Sequence, residues 1–213
     1  TLHDPRKRVT TTYASFKGGK DYCGKENIID TVLKAIELSV PCTVTYRAAN
    51  SGEAKTYEIE PYTFVDHGNA LYCIAAIPAH NRDIRVLAIE RIEKIAHHAD
   101  RSFAIKDGYD PEEYLGASFG IIVEDPVRVR VHFTASAAFY ARERVWGQDQ
   151  TVEENADGSI ILSFTAAGLT EIKRWALSFG SAARVLEPEN LVADIKKEAQ
   201  ELARTYTKEV KNM

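Results

Sequence analysis

Arginines and tyrosines set into apolar strands are the residues of this chain best placed to do chemistry, and that chemistry is anion binding. Residues 69–92 read N-A-L-Y-C-I-A-A-I-P-A-H-N-R-D-I-R-V-L-A-I-E-R-I. The stretch is nearly continuously apolar, yet it holds Tyr72, Arg82, Arg85 and Arg91. An arginine in or beside a covered strand is costly unless an anionic or hydrogen-bonding group meets it. Its guanidinium presents a fork of donors that suits phosphate. Arg85 and Arg91 are the first candidates, with Arg82 in the adjoining turn. The competing reading pairs Arg85 and Arg91 with Glu58, Glu60 or Glu90 as pins of the fold. Tyr46 and Tyr72 either offer rings for a base to stack on or sit in the core with the hydroxyl at its rim. Arg128, Arg130 and His132 form one outward stripe on an alternating strand. Such a stripe either tracks a nucleic-acid backbone or is a solvated face paired with nearby acids.

Other chemistries find no support. The chain has no G-x-S-x-G, no P-loop, no dinucleotide glycine pattern and no H-E-x-x-H. No catalysis and no cofactor are therefore expected. His97-His98 has no companion at metal-ligand spacing, and His67 falls in a turn where it is solvated. Cys23, Cys42 and Cys73 are scattered, and Cys42 and Cys73 lie in strand-like runs, so they read as free thiols of a reducing cytoplasm. A formal charge of -4 argues against a wholly basic nucleic-acid binder. No apolar run reaches membrane-spanning length and no signal peptide opens the chain, so no membrane partner is expected.

The elements that must position these side chains follow from periodicity. Residues 1–24 read as a polar linker, ordered locally by Tyr13, Phe16 and Tyr22. Over 25–39, Ile28, Ile29, Val32, Leu33 and Ile36 share one helical face, and Pro41 ends the helix. Short strand signals follow at 42–47 and 55–60, with Pro61 breaking the second, then Phe64-Val65 and the tight turn D-H-G-N at 66–69. The two strands of 69–92 come next, and 92–95 closes the series. Five short strands with tight turns and one leading helix predict a small, strongly bent barrel over 25–98. Residues 99–126 form a connector containing a short helix that starts at Asp110-Pro111 and ends near Gly116. From 127 the order is β-α-β-β-α-β-α: an alternating strand at 127–133, helices at 135–145 and 169–179, a hairpin about Asp157-Gly158, a strand at 183–186 and a last helix opened by Pro188. In that last helix Leu191, Ile195, Ala199, Leu202 and Tyr206 recur at near four-residue spacing. The split βαβ order predicts a ferredoxin-like α/β sandwich over 127–213, and the chain as a whole is α+β.

These residues carry a family resemblance. V-T-Y-R at 44–47, I-E-P-Y at 59–62, H-G-N-A-L-Y at 67–72 and I-R-V-L-A-I-E-R-I at 84–92 resemble a WYL domain. R-W-A-L-S-F-G at 174–180, V-L-E-P-E-N-L at 185–191 and Val145-Trp146 with Gln150 resemble its WCX extension. The resemblance implies an Sm/SH3-like barrel for the first part. It also implies a bacterial transcription regulator that senses a nucleotide or a single-stranded nucleic acid, forms a homodimer, and binds operator DNA through an N-terminal winged helix-turn-helix. Arg47, beside Tyr46, joins the implied ligand set. The chain opens on Thr1 with few and polar residues before residue 25, so the expectation is either a trimmed chain, the favoured reading, or a stand-alone accessory form. The chain departs from the family at Leu71-Tyr72-Cys73, of which only the tyrosine matches, and at Tyr57 and Ala88, where many relatives carry arginine. Two phosphate-binding cations are thereby missing. The alternative to a sensor is a pure interaction module whose barrel and last helix serve assembly alone.

Overall fold

The computed structural model describes residues 19–49, 51–116 and 118–207. Asn50, Tyr13, Phe16 and most of the expected linker lie outside the described residues. The chain divides into two units, residues 1–105 and 106–213, each treated by itself.

In the first unit the apolar stripe folds as α1 (Glu26–Leu38) and buries Ile28, Val32 and Ala35. The helix is stopped by Ser39, which turns left-handed at φ 51° and donates its N–H back to Ala35 and Ile36. Pro41 stands two residues beyond that stop. Five strands follow: β1 (Cys42–Tyr46), β2 (Lys55–His67), β3 (Ala70–Ile77), β4 (Asp83–Ala88) and β5 (Ile92–His97). They pair antiparallel in the order β4-β3-β2-β1-β5.

Pro61 does not break β2, which runs unbroken for 13 residues. The proline falls where β2 changes partner. Residues 55–59 pair with β1 and residues 60–67 with β3, with a register shift between Pro61 and Thr63. A missing N–H costs little at such an irregularity. The β2–β3 turn is Gly68-Asn69, both at φ 60°, the left-handed pair that a two-residue hairpin demands.

The expected barrel is not closed by hydrogen bonds, since no ladder joins β4 to β5 among the described residues. The sheet is nevertheless strongly curled. Its two edge strands are linked only by the 3-10 turn Ile89–Arg91. Five flat strands would hold those edges about 19 Å apart, whereas four backbone steps reach about 14 Å at most. The curl wraps a core in which Val32, Ala35, Val44, Ile59, Ile89 and Ile92 are fully buried.

Cys42 and Cys73 share that core at 0% exposure, while Cys23 is exposed. Burial pushes the Cys42 thiol up to about 12 and raises that of Cys73 further. Folding therefore favours the protonated thiols. The stability they lend is full below the ordinary thiol range and is lost as pH rises through it toward the folded values. An aromatic disulfide reagent at pH 8 is expected to titrate one thiol of three in the folded chain and all three in denaturant. Rapid reaction of two or more in the folded chain would overturn the burial of the pair.

The second unit contains α2 (Pro111–Gly116), β6 (Val127–Phe133), α3 (Ala135–Arg142), β7 (Thr151–Glu154), β8 (Ile160–Ala166), α4 (Leu169–Ser178), β9 (Ala183–Glu187) and α5 (Glu189–Thr207). Asp110 starts α2 by accepting the N–H groups of Glu112 and Glu113 at 2.7 and 2.9 Å. The sheet is antiparallel in the order β7-β8-β6-β9. Val129, Val131 and Phe133 point inward at 0% exposure, as alternation requires. Helix α5 starts one residue after Pro188 and buries only Leu191 of its stripe. Leu202 and Tyr206 project at 55% and 84% exposure.

Candidate ligand-binding cleft

The β1–β2 register sets Lys55 opposite Tyr46 and Tyr57 opposite Val44. Directly opposed residues share a face, so Tyr46, Lys55 and Tyr57 converge at one end of the hairpin. On the other side of the curl, β4 pairs Arg85 with Ala75, on the strand face that carries Cys73 and Ile77 into the core. The curled sheet brings these groups together around a cleft of about 640 Å3, lined by Tyr46, Tyr57, Lys55, Arg85, Glu53 and His80, with Ile77 and Leu87 toward the core. That size lies within the range of small-molecule sites.

Each polar group has a defined setting. Tyr46 is 9% exposed, and its hydroxyl accepts the Ala88 N–H at 3.3 Å, which fixes the ring. Burial raises the Tyr57 hydroxyl above its ordinary range; Tyr46 adds to the rise and Arg85 opposes it. Tyr57 is accordingly a neutral hydroxyl that can both donate and accept. Arg85 is 55% exposed and has Asp83 at 3.6 Å, too far for a tight ion pair.

Of the expected ligand set, Tyr46 and Arg85 line this cleft and the others stand outside its lining. Arg47 donates to Glu93 at 2.7 Å and to the Gly52 carbonyl at 2.7 Å. Arg82 adopts φ 57° and is held by Glu60 at 2.6 Å, the Tyr62 hydroxyl at 3.0 Å and the Ala104 carbonyl. A left-handed arginine costs about 1–2 kcal/mol, so these bonds make Arg82 a pin of the β3–β4 turn. Tyr72 pairs with Ala88 and alternates to the side of β3 away from Cys73 and Ala75. Arg91 ends the 3-10 turn, where its carbonyl accepts the Arg47 N–H at 3.1 Å. The acids proposed as partners for Arg85 and Arg91 are engaged elsewhere: Glu58 with Arg101, Glu60 with Arg82 and Glu90 with Lys20.

The stripe on β6 sits among acids. Arg128 meets Asp149 at 2.6 Å, and Arg130 meets Glu187 at 3.1 Å and Glu153 at 4.0 Å. The Ser159 hydroxyl and N–H donate to the Asp157 carboxyl and hold it below its usual range, with His132 a minor contributor. A second cleft, of about 620 Å3, is edged by Asp110, Glu112, Glu113 and Asp149. Asp149 there already takes the Thr165 N–H and hydroxyl, each at 2.7 Å. Among the described residues no group of three or more His, Cys, Asp or Glu could hold a metal, and no helix is long and apolar enough to cross a membrane.

Sequence reasoning missed Lys55, Glu53 and His80 and gave Tyr57 no role beyond a substitution. Alternation along 55–59 put Tyr57 on the face of Ile59, and that was the signal available for it.

The comparisons fit this architecture. The WYL domain pattern matches residues 27–97 and the WCX domain pattern matches residues 125–203. The chain thus carries a WYL domain followed by a WCX domain. It is similar to the structure of proteasome accessory factor B/C (PafBC) of Arthrobacter aurescens, at 16% identity over 89% of this chain and 28% of that one, with a TM-score of 0.37. It is also similar to a CRISPR Cas-related protein, at 14% identity over 89% of this chain and 54% of that one, with a TM-score of 0.58. The second likeness is one of fold. The chain spans less than two thirds of either structure. No curated protein matches it.

Proposed function

We propose that this chain is the sensing region of a cytoplasmic bacterial transcription regulator, working as a homodimer. Its first unit binds an anionic ligand, a nucleotide or single-stranded nucleic acid, and the bound state controls a DNA-binding domain that lies outside this chain and contacts the operator. The observation that carries the reading is the convergence of Tyr46 and Arg85, with Tyr57 and Lys55, on one cleft of the WYL domain. In this reading the first unit is an Sm/SH3-type barrel over 25–98, supported by its strand order and the short β4–β5 link. The second, over 127–213 after a connector at 99–126, is a ferredoxin-like sandwich, supported by the order β7-β8-β6-β9 and by α3 and α4 linking its strands.

Isothermal titration of the chain with nucleotides and short oligonucleotides at low salt tests the proposal. Arg85→Ala removes a charge-assisted hydrogen bond of about 1.5–3 kcal/mol, so affinity is expected to fall between about tenfold and a hundredfold. Arg47→Ala, which removes a cation already paired with Glu93, is expected to leave affinity within about threefold. Absence of binding across the whole panel would end the anionic-ligand reading.

A further inference from the structure

We infer that the cleft of the first unit is built for one nucleoside monophosphate and not for a strand, and that Tyr57 and Glu53 make that choice. The inference rests on reading this cleft as a ligand site and narrows its ligand to a ring bearing a single phosphate. A strand presents a phosphate at every nucleotide and is held by a row of cations. Among the described residues the lining holds no such row. Arg47, Arg82 and Arg101 are each held by an acid, Glu93, Glu60 and Glu58 respectively. Arg85 and Lys55 are the permanently charged cations of the lining, enough for one phosphate.

The anion in the lining matters equally. Glu53 is exposed and faces the same cleft. Its carboxylate repels a second phosphate continuing past the first. It accepts a donor instead, which a ribose hydroxyl or an exocyclic base amine supplies. The rings complete the set. Tyr46 is held by the Ala88 N–H, so it offers a fixed face at little entropic cost. Tyr57, half-buried and neutral, stands beside Arg85 and offers a second ring and a hydroxyl. A bare phosphate leaves both rings unused, and a nucleoside leaves Arg85 unmet.

The test is titration of the full chain with the four common ribonucleoside monophosphates, thymidine monophosphate, adenosine, ribose 5-phosphate and a ten-residue oligothymidylate, at two salt concentrations. At least one monophosphate is expected to bind at least tenfold more tightly than adenosine and than ribose 5-phosphate. The oligonucleotide is expected to bind no more tightly than thymidine monophosphate, with a salt slope close to that of one phosphate contact. Tyr57→Ala is expected to weaken the monophosphate at least tenfold and Tyr57→Phe by less than fivefold, with both variants checked by thermal melting. Glu53→Gln is expected to strengthen oligonucleotide binding relative to the monophosphate by threefold or more. An oligonucleotide that binds tenfold more tightly than any monophosphate, with a slope of several contacts, overturns this inference and leaves the anionic cleft standing. So does ribose 5-phosphate binding as well as the best monophosphate. Silence from every probe overturns both readings.

Discussion

Trp175→Ala is expected to destabilise the second unit by about 3 kcal/mol, the lower end of the cost of truncating a core aromatic, since the ring is partly buried against the core. Trp175 lies on α4 and is the hub of an aromatic cluster. Its ring centroid is 4.7 Å from that of Trp146, 5.1 Å from Phe119, 5.6 Å from Phe179 and 5.8 Å from both Phe133 and Phe164. Three of these are edge-on, the geometry that aligns positive ring edges with negative faces. Phe133 belongs to β6 and Phe164 to β8, so the ring joins the helix layer to the two central strands. Truncation removes all five contacts, and the rigid β6–β8 pair cannot collapse into the space. Trp175→Phe separates packing from polarity. The buried indole N–H has no hydrogen-bond partner among the described residues, so the smaller ring loses area while shedding an unsatisfied donor worth about 1–3 kcal/mol. Trp175→Phe is therefore expected to cost less than half as much as Trp175→Ala. Urea unfolding followed by circular dichroism reads both. Equal losses in the two variants would mean that the cluster does not depend on the donor and that the site fills poorly with any smaller ring.

The same cluster shows what sequence makes legible. The alternation of Val127, Val129, Val131 and Phe133 announced β6 and its inward face, because a strand with one buried side must obey period two. The stripe of α1 and the turns at Gly68-Asn69 and Asp157-Gly158 were equally readable, since each is a local demand on backbone or face. Features set by partners far along the chain were not. Pro61 alone reads as a breaker because its local preference is against a strand; the change of partner from β1 to β3 absorbs it. Arg85 and Arg91 rank first in sequence, with Arg82 in the adjoining turn, but the sequence does not say which acids reach them. What separates them is the position of Glu60 beside Arg82 and the curl that turns Arg85 toward Tyr46. Tyr72 alternates to the face of β3 opposite Cys73, and what the sequence does not show is that the β3–β4 register sets it against Ala88. The stripe of α5 had the right period, yet past Ile195 its residues are exposed, since periodicity does not say where the neighbouring element ends.

Gly120→Ala is expected to cost about 1–3 kcal/mol, because the Glu171 carboxylate must swing aside and give up its part-buried hydrogen bonds. Glu171, in the first turn of α4, turns its carboxylate onto the preceding loop and accepts the N–H groups of Ile121 and Ile122 at 3.1 and 3.2 Å. A β-carbon at Gly120 would collide with that carboxylate, and one at Gly168 would lie 2.8 Å from it at φ 87°. The two glycines are thus the room that Glu171 needs. Glu171→Ala alone leaves two part-buried N–H groups without their acceptor, at about 1–3 kcal/mol. In that background the obstacle to a methyl at Gly120 is gone. Gly120→Ala and Glu171→Ala are therefore expected to be strongly non-additive. The double variant should be no less stable than Glu171→Ala by more than about 0.5 kcal/mol. Gly168→Ala responds differently, because its left-handed backbone penalises any side chain whether or not Glu171 is present. Its cost should persist in the Glu171→Ala background at about 1 kcal/mol or more. If Gly120→Ala costs the same with and without Glu171, the carboxylate is not what the glycine accommodates, and the loop at 118–122 owes its conformation to other contacts.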